Sequence, residues 1–257
     1  MIRLGVCTPI ENAALLKSIG YDYIELGLSR VATMEESEYQ ELLAAVKASP
    51  LPVEAMNSMV PSDFSLCSDE GTGERIRAYL KKAFARAEEL GVEIVVFGSG
   101  GARKMPPDMS ESEGYRRLSQ FLRVAARIAE DHYITIAIEP LRSAECNIIN
   151  LVGDAQNLAG MTGFKNVAAL ADLYHMMQEG DYYDYLDNGI GVIHTHIAEM
   201  DNRTFPKASD PCAPEYQEFL SRLKKAGYDG RISIEARTDD LAADAVESFR
   251  LLDYLRR

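Results

Sequence analysis

A chain that alternates strand and helix about eight times predicts an α/β fold of the (β/α)8, or TIM, barrel class. Three observations carry this expectation. Short apolar or alternating runs recur eight times, and stretches with helical spacing separate them. The 257 residues also suit a barrel of roughly 250 residues. Strand–helix alternation gives a parallel sheet, either open and doubly wound or closed. Eight units without a linker rich in Pro, Gly or Ser favour closure, in one domain spanning residues 1–257.

The expected strands are Ile2–Cys7, Tyr23–Leu28, Val53–Met56, Ile94–Phe97, Ile134–Ile138, Val167–Ala171, Gly191–His196 and Arg231–Glu235. Between them, Arg75–Leu90 aligns Ile76, Leu80, Ala83, Ala87 and Leu90 on one helical face. Tyr115–Ala129 aligns Leu118, Leu122 and Ala125 with Ile128 or Ala129, and Leu241–Leu255 aligns Ala245, Phe249, Leu252 and Leu255. Glycines in ELGVEIVVF and KKAGYDGRISIEA mark a helix stop before a new strand. GSGG (Gly98–Gly101) and EGTGE (Glu70–Glu74) read as short loops.

Apolar residues make up 47% and charged residues 26%, enough for a sizeable core. With 27 basic against 40 acidic residues the net charge is −13. Such a chain repels nucleic acid and anionic membrane surfaces, so neither is an expected partner. The acidity is equally accounted for by a solvated surface. Cys7, Cys67, Cys146 and Cys212 are widely spaced and form no CxxC pair. The start, MIRLGVCTP, looks like a strand and not a signal peptide, and no apolar run reaches the roughly 20 residues of a membrane span. A cytoplasmic location is the expectation.

The chemistry-bearing residues fall at strand ends, where a barrel of this kind builds its active site. Glu139 ends the fifth strand, Asp172 the sixth, His194 and His196 the seventh, and Glu235 the eighth. Three carboxylates do not all stay ionised in a low-dielectric mouth without a cation. Together with one imidazole they compose a divalent-metal shell. Each residue also has an ordinary reading. A lone acid at a strand end is often an N-cap or a salt-bridge partner. In HTH the alternation puts both histidines on one face, and one of such a pair is commonly a packing residue. His132 precedes a strand at the other end of the barrel and reads as structural.

With these residues placed, the chain resembles the xylose isomerase-like barrel superfamily, and within it the sugar phosphate isomerase/epimerase group. The ketose 3-epimerases of the tagatose and psicose type have the closest active-site pattern. The resemblance spans essentially the whole chain, with its specific motifs in the second half. It implies one divalent metal, manganese first, with magnesium, cobalt or zinc as alternatives, held by Glu139, Asp172, His196 and Glu235. It implies substrate contacts from Glu145, six residues after Glu139, and from His175, three after Asp172. The family arginine maps to Arg203, seven residues after His196 where the family has six. Glu25, in YIELGL, stands where a barrel-mouth acid often occurs in this superfamily; an equally ordinary role is a hydrogen bond to loop backbone. Relatives are often dimers or tetramers, which implies a homodimer or homotetramer.

The implied reaction is proton movement beside a carbonyl of a carbohydrate substrate, through a metal-stabilised enediolate, with Glu139 and Glu235 as the two bases. An alternative is a metal-dependent lyase on 3-keto-glycosides, or a subunit of a C-glycoside-cleaving complex; a third is an inactive sugar-binding barrel. The endonuclease IV type shares the barrel but needs a histidine-rich three-zinc cluster, and here only four histidines occur, none before His132. In GSGGARKMP, Arg103 and Lys104 either receive a phosphate or are solvated charges on a flexible loop. Asn147 and Asn150 offer further polar contacts.

Overall fold

The structure, a computed structural model, describes residues 1–181, 183–187 and 191–257. Eight strands are present: β1 (Arg3–Cys7), β2 (Tyr23–Gly27), β3 (Val53–Asn57), β4 (Ile94–Phe97), β5 (Thr135–Ile138), β6 (Val167–Asp172), β7 (Val192–Ile197) and β8 (Arg231–Ile234). They pair in chain order and in parallel, and β8 returns to β1, so the sheet is a closed barrel. The expected strands are found with small shifts at their ends. The second stops at Gly27 because Leu28 already begins a helix.

The helices are α1 (Ala13–Ile19), α2 (Leu28–Thr33), α3 (Glu36–Ala48), α4 (Glu74–Glu89), α5 (Gly100–Arg103), α6 (Glu111–Glu130), α7 (Val152–Thr162), α8 (Leu173–Glu179), α9 (Asp184–Asp187), α10 (Ala213–Lys225) and α11 (Leu241–Arg256). The long ones follow the expected faces. In α4 Ile76, Leu80, Ala83 and Ala87 are buried, and in α6 Leu118, Leu122, Ala125 and Ala129. Each leucine or isoleucine so buried stabilises the fold by about 1.5–3 kcal/mol relative to exposure. In α11 Ala245 and Leu252 are buried, while Phe249 and Leu255 pack against the core from partly exposed positions. Ser110 and Asp240 cap α6 and α11 by accepting backbone N–H groups of Glu113 and Ala243.

Strand alternation divides the core in two. Leu4, Ile24, Met56, Val95, Ile136 and Ile232 belong to the large cluster that the helices cover. Tyr23, Ala55, Ile94, Val96, Ala137 and Leu170 form a smaller separate cluster inside the barrel. The Tyr23 ring lies against β1 so closely that a Cβ at Gly5 would stand 2.3 Å from it. Two residues on from this apolar plug, in the direction of the strand C-termini, the same inward face carries Glu25, Asn57, Glu139 and Asp172. At the opposite end Arg231 pairs with Glu54 (2.6 Å) and also with Glu93, and Arg3 with Glu54, so paired charges close the barrel below the plug. No helix among the described residues is long and apolar enough to cross a membrane.

Candidate active site

Register brings the strand-end residues side by side. Asp172 is the partner of His196 across β6–β7, and His196 is the partner of Ser233 across β7–β8, two residues before Glu235. One donor atom from each of Glu139, Asp172, His196 and Glu235 lies within 4.8 Å of all the others. His196 Nδ1 is 2.9 Å from Glu139 Oε1 and 3.7 Å from Glu235 Oε2. The three acids and His196 thus come together as their strand positions foretold.

The ordinary and the chemical readings of these residues hold together. Asp172 is the N-cap of α8: its Oδ1 accepts the Tyr174 N–H at 2.8 Å. Its Oδ2 faces the other way, 3.8 Å from both His175 Nε2 and an Arg203 guanidinium nitrogen. Glu235 accepts the Asn57 side-chain N–H at 2.9 Å through Oε1, and its Oε2 meets Arg203. A Cβ on Gly98 would stand 2.1 Å from Glu139 Oε2, so Glu139 occupies space that glycine alone at that position leaves.

Glu25 does not bind loop backbone. It is buried beneath the cluster and bridges both histidines: Oε1 lies 3.1 Å from His196 Nε2 and Oε2 lies 2.8 Å from His194 Nε2. Ser233 Oγ donates to the same Oε2 at 2.5 Å and is itself paired with Tyr23 Oη at 2.7 Å. With Nε2 engaged by Glu25, His196 presents Nδ1 to the three acids, while His194 packs edge-on to it one layer deeper. Between the two histidines, His196 therefore faces the cluster.

Charge balance explains the shifts in acidity. Two like charges 4 Å apart repel by about 4 kcal/mol at an effective dielectric of 20. Burial, with Glu139 next to it, pushes the Glu235 carboxyl up to about 7. Burial also opposes charge on His196, but Glu25, Glu235 and Glu139 outweigh it and hold the imidazole well above its usual value. For His194 burial wins over Glu25 and lowers it. Burial would raise Glu25, yet His196 and His194 bring it well below the usual carboxylate range. In the protein without a cation, protonated His196 and Arg203 are the positive charges among the acids.

That donor set fits a divalent ion. Carboxylate oxygens and one imidazole nitrogen stand within a few ångströms of each other, and an ion bound among them would displace the imidazole proton that offsets their charge in its place. Cys7, Glu25 and His196 also have donor atoms within 4.8 Å of one another. They fit less well, because burial and the surrounding carboxylates, Glu25 first, raise the Cys7 thiol and keep it protonated. Both Glu25 oxygens are moreover engaged.

A cavity of about 350 Å3 opens above the cluster, lined in part by Glu139, Glu145, His175, Arg203, Glu235 and the Gly98–Gly101 loop. His175 Nδ1 accepts the Arg142 N–H at 3.1 Å, so the ring proton sits on Nε2. That Nε2 is buried without a partner, a donor left for a ligand. Glu145 is held by Arg142 Nε at 2.8 Å and lies 3.7 Å from Arg203. Arg203 stacks 4.8 Å over the Tyr174 ring. Its backbone is left-handed, φ 54°, in a turn that Glu199 clamps by accepting the N–H groups of Asp201 (2.8 Å) and Asn202 (2.7 Å). This turn takes up the seventh residue after His196 and still delivers the guanidinium to Glu235.

Three sequence readings are corrected. Arg103 is fully buried and donates to the carbonyls of Phe97 (3.0 Å) and Ile149 (3.4 Å), so it is neither a phosphate ligand nor a solvated charge. Asn147 exchanges hydrogen bonds with the Met105 backbone, and Asn150 donates to the carbonyls of Leu141 and Cys146. Both amides brace loops. Sequence reasoning overlooked Glu199, Tyr174 and Gly98. Only Gly98 carried a signal, two residues beyond Val96 on an inward face.

A family profile described as Xylose isomerase-like TIM barrel matches residues 13–255, and the chain belongs to that family. Over 248 residues it is 25% identical to the 3-dehydro-D-guloside 4-epimerase of Escherichia coli K12, covering 94% of this chain and 91% of that one. It is 25% identical over 244 residues to a putative hydroxypyruvate isomerase of Streptomyces coelicolor, covering 90% and 86%. Among solved structures, the apo 3-keto-D-glucoside 4-epimerase YcjR of E. coli superposes with a TM-score of 0.80 at 22% identity, over 100% of this chain and 99% of the other. The IOLI protein with a bound zinc atom superposes at 0.76 and 20% identity, over 99% and 98%. Isomerases and epimerases recur among these relatives, and the chain is an isomerase-class enzyme.

Proposed function

We propose that this chain is a divalent-metal-dependent sugar epimerase or isomerase that moves a proton on a carbon beside a carbonyl. The observation that carries the reading is the convergence of Glu139, Asp172, His196 and Glu235 within 4.8 Å, next to an unpaired buried His175 donor. Those four residues would hold the metal, manganese being the first candidate. When bound, the ion supplies Lewis-acid stabilisation of charge developing on the carbonyl oxygen. The epimerase and isomerase names of the relatives support the same chemistry.

The chain's own residues do the rest. Glu139 and Glu235 hold and release the proton. A carboxylate that holds the ion through one oxygen keeps the other free to act as a base. Removal by one and return by the other from the opposite face inverts the carbon; return by the same residue does not. His175 Nε2 donates to a carbonyl or hydroxyl oxygen, Arg203 does so from the other side, and Glu145 accepts from a hydroxyl. Asn57 and Arg203 between them orient Glu235. The lyase alternative would start with the same proton removal, and a leaving group on the next carbon would divert it.

The test is manganese-loaded protein in D2O with free ketoses, ketose phosphates and 3-keto-glycosides, followed by NMR. Deuterium entering beside the carbonyl, with an epimer appearing and Glu235→Gln silent, is the expected result. Release of an aglycone in place of an epimer would assign the lyase. Silence across all substrates would sink the proton-transfer reading.

A further inference from the structure

Tyr23 on β2 and Ser233 on β8 are not neighbours in the sheet. β1 lies between them, and its Gly5 is the register partner of both. A Cβ at Gly5 would stand 2.3 Å from the Tyr23 ring. Through the space that glycine leaves, the ring crosses β1, and its hydroxyl meets Ser233 Oγ at 2.7 Å. Ser233 donates its one proton to Glu25 Oε2 at 2.5 Å, so its oxygen receives the Tyr23 proton. Glu25 in turn lies against His194 and His196. All five side chains are buried, none more than 1% exposed.

A tyrosine hydroxyl buried in an apolar plug needs an acceptor, and any acceptor would serve. Here the acceptor belongs to a chain with a fixed direction. Ser233 and His194 both engage Glu25 Oε2, at 2.5 and 2.8 Å, which leaves Oε1 to His196 Nε2 at 3.1 Å. Contacts on both oxygens fix the plane of the carboxylate, and the carboxylate fixes the turn of the His196 ring. The far ring nitrogen, Nδ1, then stands 2.9 Å from Glu139 Oε1. Buried hydrogen bonds in series also polarise one another, so a group at the far end is felt at the near one.

From this we infer that Tyr23 and Ser233 are positioning residues of the metal centre: the tyrosine, admitted across β1 by Gly5, holds the serine, and the serine locks Glu25 behind His196. The inference rests on the reading of Glu139, Asp172, His196 and Glu235 as metal ligands. The experiment titrates manganese calorimetrically into the wild-type protein, Tyr23→Phe, Ser233→Ala and the double variant. Proton NMR of the metal-free proteins follows the low-field ring N–H signals of the two histidines. Tyr21→Phe is the control, because it deletes another buried tyrosine hydroxyl, one that donates to the Ala245 carbonyl on the helical side of the sheet. Ser233→Ala should weaken manganese binding roughly ten-fold, the lower end for groups behind metal ligands. Tyr23→Phe should weaken it by less, and the double variant should match Ser233→Ala, because Tyr23 acts through that hydroxyl. The histidine signals should move in all three and stay in place in Tyr21→Phe. Single variants that bind manganese as the wild type does, or lose no more than Tyr21→Phe, overturn the proposal and leave the pair a packing role. Losses that add in the double variant overturn the route from Tyr23 through Ser233. Wild-type protein that takes up no manganese removes the metal reading itself, and the relay's purpose with it.

Discussion

His194 and His196 share a strand face and differ only in depth, yet their surroundings assign them different work. His196 has Glu25 behind one ring nitrogen and three acids before the other; His194 has Glu25 alone, and its Nδ1 is buried without a partner. His196→Gln should therefore abolish stoichiometric manganese binding while His194→Gln keeps it, measured by metal analysis of folded protein. The opposite outcome would reverse the assignment. Glu25 acts through the histidine. A carboxylate behind a ligand imidazole fixes its tautomer and basicity, and losing one typically costs 10–100-fold in metal affinity. Glu25→Gln should lower manganese affinity by roughly that factor in calorimetric titration, and unchanged affinity would reduce Glu25 to a packing role.

At the scale of elements, the strand ends do the positioning and the loops finish it. The end of β4 gives way to Gly98, and the missing side chain there admits Glu139 from β5. Gly98→Ala should displace that carboxylate. Overpacking of this kind costs about 1–3 kcal/mol, so the variant is expected to fold and to lose most of its metal binding and exchange. Near-normal exchange in a folded variant would mean that Glu139 moves freely. The α8 start and the Glu199 turn act likewise. One orients Asp172 by making it a helix cap, and the other brings Arg203 over Tyr174 to Glu235. The strand ends and helix faces were readable from alternation and spacing, because periodicity is a local property. The partners of Arg103, Asn147 and Asn150 were not, because a loop's hydrogen bonds depend on what folds against it.

Across the whole molecule, the acidic barrel mouth makes stability depend on pH and on metal together. Glu235 titrates near 7 in the folded protein and near 4.5 when unexposed to these neighbours. Its folded acidity constant is the higher one, so its contribution is complete below about 4.5 and is lost as pH rises through about 7. His196, also shifted upward, adds to the loss above its usual range. Glu25 is shifted the other way, and its contribution is already complete above the ordinary carboxylate range. Metal-free protein should thus lose melting temperature between roughly pH 5 and pH 8, and manganese should restore more of it at the upper end, because binding displaces those protons. Thermal unfolding with manganese and with a chelator checks this. A metal-induced shift that shrinks as pH rises would count against the cluster as the binding site.

By itself the sequence determined the barrel and the strand-end acids and histidines. Both follow from repeating local patterns, period two in strands and near 3.6 in helices. The family resemblance added Glu145, six residues after Glu139, and His175, three after Asp172, as expected substrate contacts. Only the tertiary structure decided which histidine faces the acids, that Glu25 stands behind it, and that Arg103 is bound inside the wall. These depend on depth within a closed barrel and on contacts between residues far apart in the chain, such as Glu25 with His196 and Asn57 with Glu235. A pattern along one strand records which face a side chain takes; what it meets there is set when the barrel closes.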